Sequence, residues 1–436
     1  MPSPRPLPIV FAVLIFTICA IAAVQGQTSP PPATPAQATG KPPPMSDIAF
    51  YLAHGDTDAC GHGCKEWIAA EGKIDPGAAQ RLRQLLSKLG HRKPPIFFHS
   101  PGGSLKGSIE LGRLIHEQRI DVSVALTIPR GCDHDKLLDK PCDALKRSGQ
   151  ELEADFDPDS AMCNSACVWA FVGGTKGFVP PGVKLGIHDV GLDPQKSLPA
   201  ITTTRTTRTT IRTAAGTTTS TRTATSARVA SLAEIKKAGH ARLLEYLHDM
   251  VIDKELLTAA SAIPYESVRF LERDELVHFG IDRREFGEMA WRLRNKPAIA
   301  MVKRFFSRVS SGDRSRFRDG FVMLGCGFGS ATGSRLIFAQ ERDSSEQKSA
   351  DSSILIDVNG QRIVLRTQVP SPKLDIRVTA LSADMFDLIG RGANIKVSAI
   401  VSGQNDVPAG ILTLNMDGYS DASVKLRKSC DEAVGN

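Results

Sequence analysis

The sequence has little of several things that would class it at a glance. Aromatic residues fill only 6% of its 436 positions, and after one apolar stretch near the start no further long hydrophobic run occurs. That excludes a multi-span membrane protein, while 41% hydrophobic residues exclude a wholly disordered or collagen-like chain and suffice for one large domain or two ordinary ones. Strong net charge is also lacking: 54 Lys and Arg against 47 Asp and Glu leave +7. Five of those positive charges lie in residues 198–230, which hold no acidic residue, so the rest of the chain stands near neutrality at +2. The same tract has fourteen threonines and no aromatic residue. It cannot build a core of its own and offers no stacking surface for bases, so no nucleic-acid partner is expected.

What is present begins with Arg5, an apolar stretch from Ile9 to Val24 and small residues around Gly26. Residues 1–26 read as an export signal or, uncleaved, as a membrane anchor; the stretch is short of the roughly 20 residues a comfortable span needs. Seven prolines between Pro30 and Pro44 mark residues 27–46 as a linker. The expected location is the periplasm or the exterior, with an inner-membrane tether if the segment is retained. Nine cysteines occur, and setting aside Cys19 in the signal leaves eight, an even number that suits disulfides in an oxidising compartment. Cys132 with Cys142 and Cys326 with Cys430 are candidate pairs. Cys60 with Cys64, and Cys163 with Cys167, could bind zinc with His62 or form disulfides; the four-residue steps do not match the common zinc hairpin, and no metal is expected.

Along residues 47–297 the pattern is that of an α/β domain. Ile48–Leu52 and Trp67–Ile74 read as strands, and Gly77–Leu89 as a helix with Ala79, Leu82, Leu85, Leu86 and Leu89 on one face. Strand Ile96–His99, a glycine turn, helix Ser108–Gln118 and strand Val122–Leu126 follow in the order of a parallel sheet with crossover helices. Cys163–Val172 suits a buried helix, and Lys184–His188 a strand. After the Thr/Arg insert a helix is expected over Leu232–Leu257, then a strand-turn-helix fragment over Val268–Ile281. Residues 298–436 read as a smaller β-rich domain, with strands at 353–356, 361–367, 374–378, 395–400 and 411–416 and hairpin-turn signals at Asn359-Gly360 and Asp417-Gly418.

Three short strings could carry chemistry. Ser100-Pro101-Gly102-Gly103-Ser104 leaves a strand for a helix, and its glycines let backbone amides face an oxyanion. Met162-Cys163-Asn164-Ser165-Ala166-Cys167 places Ser165 at the start of a buried helix, as a nucleophile or merely a cap. Gly186-Ile187-His188-Asp189 ends a strand on an imidazole able to take and return a proton.

In that order the three strings resemble the proteolytic subunit of the Clp protease, within the Clp protease and crotonase superfamily, and most closely its exported Clp-protease-like branch. The resemblance spans roughly residues 48–285 without the insert, and Phe279-Gly280-Ile281-Asp282 looks like the family's closing helix and turn. It implies a crotonase-type fold, with Ser165 as nucleophile, His188 as general base, and the amides of Gly103 and Ala166 as oxyanion hole. It also implies an oligomer, a trimer or larger ring. The family's third catalytic residue, an aspartate, would fall at Val268, which cannot orient an imidazole. Glu266, Ser267 and Asp189 are the substitutes within reach; otherwise the site is a Ser-His dyad or retired. Because an exported enzyme has no ATP-driven unfoldase, the expected activity is an ATP-independent serine hydrolase, a peptidase on accessible peptides or proteins, without cofactor. The alternative is a catalytically inactive scaffold or binding protein.

Overall fold

The computed structural model describes residues 45–133, 136–191, 200–294, 299–311, 314–326, 334–342, 352–401 and 409–434. The signal reading over residues 1–26, and the linker reading up to residue 44, lie outside the described residues. Among the described residues no helix is long and apolar enough to cross a membrane. The described residues from Met45 onward form one compact unit of mixed α/β structure built from several sheets.

The chain enters through β1 (Ala49–His54), β2 (Glu66–Glu71), α1 (Ala78–Leu89), β3 (Ile96–His99), α2 (Leu105–Gln118), β4 (Val122–Val124) and β5 (Leu126–Pro129). Then come α3 (Lys140–Lys146), β6 (Leu152–Asp157), β7 (Cys163–Asn164), α4 (Ala166–Phe171), β8 (Gly177–Phe178) and β9 (Leu185–Ile187). The main sheet runs β5-β6-β1-β2-β3-β4-β8. Strands β2, β3, β4 and β8 are parallel, as the crossover helices α1 and α2 require, but β1 pairs antiparallel to β2 and β5 antiparallel to β6. The sheet is therefore mixed where the sequence pattern suggested parallel strands. The difference begins at the loop closed by Cys60–Cys64, which turns the chain straight back and leaves no room for a crossover. The buried face of α1, with Ala78, Ala79, Leu82 and Leu89, and the core face of α2, with Leu111, Leu114 and Ile115, pack with β3 and α4 into one core that extends to Ile281.

The Thr/Arg insert folds as a hairpin, β10 (Ala200–Thr213) with β11 (Gly216–Val229), paired from Ala200↔Val229 to Thr213↔Gly216. All but one of its strand residues are exposed, as expected of a tract without apolar periodicity. Because its two ends meet, the hairpin is an appendage. Helix α5 (Leu232–Asp249) starts immediately after it on a capping box of Ser231 and Glu234. The single helix expected over Leu232–Leu257 is two, since Val251 at φ 57° ends the first and Asp253 accepts from the Glu255 amide at 2.8 Å to start α6 (Glu255–Ser261). β12 (Arg269–Phe270) and α7 (Arg273–His278) follow. After α7, Asp282 is fully buried, held at 3.0 Å by both Arg273 and Arg284 and by the Val179 amide.

The remaining elements are β13 (Phe286–Glu288), β14 (Arg292–Arg294), β15 (Ala300–Ser311), β16 (Arg314–Cys326), β17 (Ser334–Glu341), β18 (Ser352–Val358), β19 (Gln361–Leu365), β20 (Thr367–Val369), β21 (Leu374–Leu381), α8 (Ala383–Gly390), β22 (Asn394–Val401), β23 (Ala409–Asn415) and α9 (Tyr419–Val434). They form sheets ordered β13-β15-β16-β17-β21-β20, with β14 added to β15, and β19-β18-β22-β23, around a second core from Trp291 to Leu426. Asn359-Gly360 makes the β18–β19 hairpin turn, with φ 51° and 83°. Asp417-Gly418 does not make a hairpin: the chain passes from β23 into α9. The eight described cysteines form four disulfides, 60–64, 132–142, 163–167 and 326–430, so the thiols considered for zinc are consumed.

Candidate active site

Ser165 stands between β7 and α4 with φ 56° and ψ −122°. A residue bearing a side chain pays roughly 1–3 kcal/mol to remain in such a conformation, so its surroundings must enforce it. They do so on three sides. The Ser165 amide donates to the Gly186 carbonyl of β9 at 2.7 Å, its carbonyl accepts from the Val168 amide at 3.0 Å, and the Cys163–Cys167 disulfide closes the five-residue turn of which it is the middle. The resulting elbow lifts Ser165 out of the buried run on either side, and it is half-buried while Cys163 and Cys167 are fully buried.

The Ser-Pro-Gly-Gly turn lies directly against this elbow. The Asn164 amide donates to the Ser100 carbonyl at 3.1 Å and the Ser100 amide to the Met162 carbonyl at 2.8 Å. Gly102 has φ 104°, and a Cβ there would sit 2.7 Å from the Ser165 Cβ and 3.0 Å from the Ala166 nitrogen. The turn thus needs glycine both for backbone angle and for approach. Gly103 follows at φ 145°, and its amide makes no hydrogen bond among the described residues. As the first residue of α4, Ala166 has an amide without an intrahelical acceptor. The amides of Gly103 and Ala166 thus carry no hydrogen bond to a backbone acceptor among the described residues.

His188 arrives on the neighbouring strand. β7 and β9 are parallel with Cys163↔Leu185 and Asn164↔Gly186, so Ser165 and His188 leave the same end of strands spaced about 4.8 Å apart. No hydrogen bond joins the Ser165 hydroxyl to the ring among the described residues. The ring has two other neighbours: its Nδ1 lies 2.8 Å from the backbone carbonyl of Asp189, and Tyr265 meets it edge-on at 5.1 Å between centroids. A carbonyl can only accept, so Nδ1 carries a proton, and in the neutral ring the lone pair is then on Nε2.

The three substitutes for a third catalytic residue are placed differently. Antiparallel pairing of β12 with β9, Arg269↔Ile187 and Phe270↔Gly186, carries Val268 opposite His188 one step further along the register. The Val268 Cγ1 lies 2.7 Å from where a Cβ on Gly186 would sit, so this position supplies an apolar group and no carboxylate. Glu266 and Ser267 are exposed in a turn closed by the Ser267 amide on the Pro264 carbonyl at 3.0 Å, and no hydrogen bond joins either to His188 among the described residues. The Asp189 carboxylate is turned away from the ring. It accepts from Lys236 Nζ at 2.6 Å, His240 Nε2 at 2.7 Å and the Val190 amide at 2.7 Å. Burial alone would raise its pKa; the hydrogen bonds from Lys236, His240 and Val190 outweigh that and hold the carboxyl below its usual range.

Lys236 and His240 were not singled out by the sequence reading, although their spacing of four residues puts both on one face of α5. Neither was Asn164, whose Oδ1 is buried beside Gly186 without a hydrogen-bond partner. A cavity of about 640 Å³ lies elsewhere, lined by Asp155, Phe156, Asp157, Trp291, Arg292 and Lys425 among others, and includes neither Ser165 nor His188. Asp58, His62 and Asp417 bring three potential ligand atoms within 4.8 Å of one another, but His62 is 89% exposed and already bonded to Asp417 at 3.0 Å.

No protein-family model matches the chain, and no curated protein sequence matches it. Among solved structures, a mutant of the 1510-N membrane-bound stomatin-specific protease shares 12% identity over 49% of this chain and 75% of its own, with a TM-score of 0.28. A ClpP1 mutant from Listeria monocytogenes shares 13% over 49% and 87%, with a TM-score of 0.27. Invasion associated protein B from Bartonella henselae shares 12% over 32% and 90%, with a TM-score of 0.21. The likeness to protease-type proteins is a weak one of fold, and at such TM-scores it carries no argument about function.

Proposed function

We propose that the chain is a serine hydrolase acting on peptides, with Ser165 as nucleophile and His188 as general base. The observation that carries this reading is the strained φ of 56° at Ser165, enforced by a disulfide and by hydrogen bonds to the strand that also delivers His188. A turn that is merely structural has no need to hold a serine in that conformation. In the proposed reaction, Nε2 of His188 removes the hydroxyl proton as Oγ attacks a carbonyl. The amides of Gly103 and Ala166 receive the developing oxyanion, the imidazolium protonates the leaving amine, and water resolves the acyl-enzyme by the same steps.

The dyad differs from a triad in a definable way. In a serine protease, replacing the orienting aspartate by asparagine costs about ten-thousand-fold through the wrong tautomer. The Asp189 carbonyl fixes the productive tautomer, but supplies a dipole where a carboxylate would supply a full charge to the imidazolium. A competent yet slow enzyme follows. Four disulfides and the apolar N-terminal stretch support export, and with it independence of ATP. A second reading, an inactive scaffold, is favoured by Val268 standing opposite His188. Purified protein incubated with unfolded polypeptides without ATP separates the two: cleavage lost in Ser165→Ala supports the hydrolase, and no cleavage or ester hydrolysis by the folded wild type supports the scaffold.

A further inference from the structure

We propose that Asp189, clamped to α5 by Lys236 and His240, is the positioning residue for the His188 base, and that α5 does for the imidazole what a third catalytic carboxylate does elsewhere. The inference rests on the hydrolase reading for the role of His188 and adds what controls it.

Asp189 is fixed at every polar group it has. Its amide donates to the Ile263 carbonyl at 2.9 Å, its Oδ2 accepts from Lys236 at 2.6 Å, and its Oδ1 accepts from His240 at 2.7 Å and from the Val190 amide at 2.7 Å. The carbonyl is the remaining group, and it holds Nδ1 of His188 at 2.8 Å. With amide and carboxylate anchored on two different elements, the peptide plane between Asp189 and Val190 cannot rotate, so the direction of that carbonyl is set by α5. The carboxylate therefore acts on the imidazole through the backbone.

The helix is pressed against this loop closely enough to matter. A Cβ on Gly239, between the two clamping residues, would sit 2.8 Å from Val190 Cγ1. His240 is in turn 3.4 Å from the Ser261 hydroxyl, which donates to the Leu257 carbonyl, tying the clamp to α6. Asp189 is 8% exposed, whereas Lys236 and His240 are 35% and 30% exposed, so the two clamping residues are accessible to substitution without opening the core.

A salt bridge that only stapled α5 to the loop would leave the tautomer of His188 untouched, and this separates the two roles. The full chain is labelled with ¹⁵N-histidine, and the His188 ring resonances are read in wild type, Lys236→Met, Lys236→Arg, His240→Gln and Asp189→Asn, alongside the rate of Ser165 modification by a fluorophosphonate. The expected result is a neutral Nδ1–H tautomer in the wild type and a mixed one in Lys236→Met and Asp189→Asn. The modification rate falls at least tenfold in both, and Lys236→Arg stays near wild type. Wild-type His188 resonances in folded Lys236→Met and His240→Gln overturn the proposal even if Ser165 reacts normally, leaving the hydrolase reading intact. Tautomer loss in the variants of a protein whose Ser165 never reacts sustains the positioning role and removes the hydrolase reading instead.

Discussion

The serine half and the histidine half of the site are built by different means. Ser165 is held by main chain and a disulfide: the bridge spans four residues, a glycine turn abuts its Cβ, and backbone hydrogen bonds reach a neighbouring strand. His188 is held through side chains, Lys236 and His240 acting through Asp189 from beyond the hairpin insert. The first half is rigid wherever the α/β core is folded. The second depends on α5 docking against Asp189.

The largest effect is expected from breaking the serine half. In Gly102→Ala the new methyl group meets the Ser165 Cβ and the Ala166 amide at an unfavourable φ, and fluorophosphonate modification should fall about a hundredfold, on the order of removing an oxyanion donor. Removing the disulfide as Cys163→Ser with Cys167→Ala should cost about 2 kcal/mol for so short a loop, read by urea unfolding, and lower the modification rate more than tenfold as Ser165 relaxes. Ser165→Gly should do the reverse for stability, gaining about 1 kcal/mol by removing strain while abolishing modification. If that variant is no more stable than wild type, the elbow stores no strain.

The histidine half is sharpened by giving it what it lacks. Val268 is 45% exposed and next to the Arg269↔Ile187 pair that leads to His188, so Val268→Asp should be tolerated and raise the modification rate several-fold by stabilising the imidazolium. A smaller effect separates the halves by pH. His99, which accepts from the Met162 amide at 3.3 Å beneath the serine elbow, has its pKa lowered by burial, with Lys146 adding to the effect and Glu71 opposing it. The fold prefers the neutral ring, so this contribution is fully present above about pH 6.5 and is lost as pH falls toward the depressed folded value. Asp189, also depressed, contributes above about pH 3.9 and loses its contribution only as pH falls through its own lower value. Hydrogen exchange on acidification should therefore loosen residues around Ser100 and Met162 before those around Asp189, and His99→Gln should remove the first step.

The same contrast explains what could be read in the sequence. β3 falls at Ile96–His99 as expected, and the glycine turn, Ser165 and His188 are recognisable because each is a short string at an element boundary. Lys236 and His240 carry no such mark; their role exists only because the ends of the hairpin meet and α5 returns to Asp189. Further on, β15 and β16 are absent from the strands the pattern suggests, because Arg304, Arg308, Arg316 and Arg318 interrupt the alternation, while Phe305, Val322 and Leu324 supply the buried face. Helix α9 was hidden behind a turn signal at Asp417-Gly418, which in the fold packs on Trp291: the Trp291 amide donates to the Asp417 carbonyl at 2.8 Å.

The central claim is that His188 activates Ser165. It is tested most directly by locating the fluorophosphonate adduct by mass spectrometry on the full chain with its disulfides intact, in wild type and in His188→Gln. A single adduct on Ser165 that forms at least a hundredfold more slowly in His188→Gln is the expected result. No adduct on Ser165 in the folded wild type, or equal rates in both proteins, would contradict it.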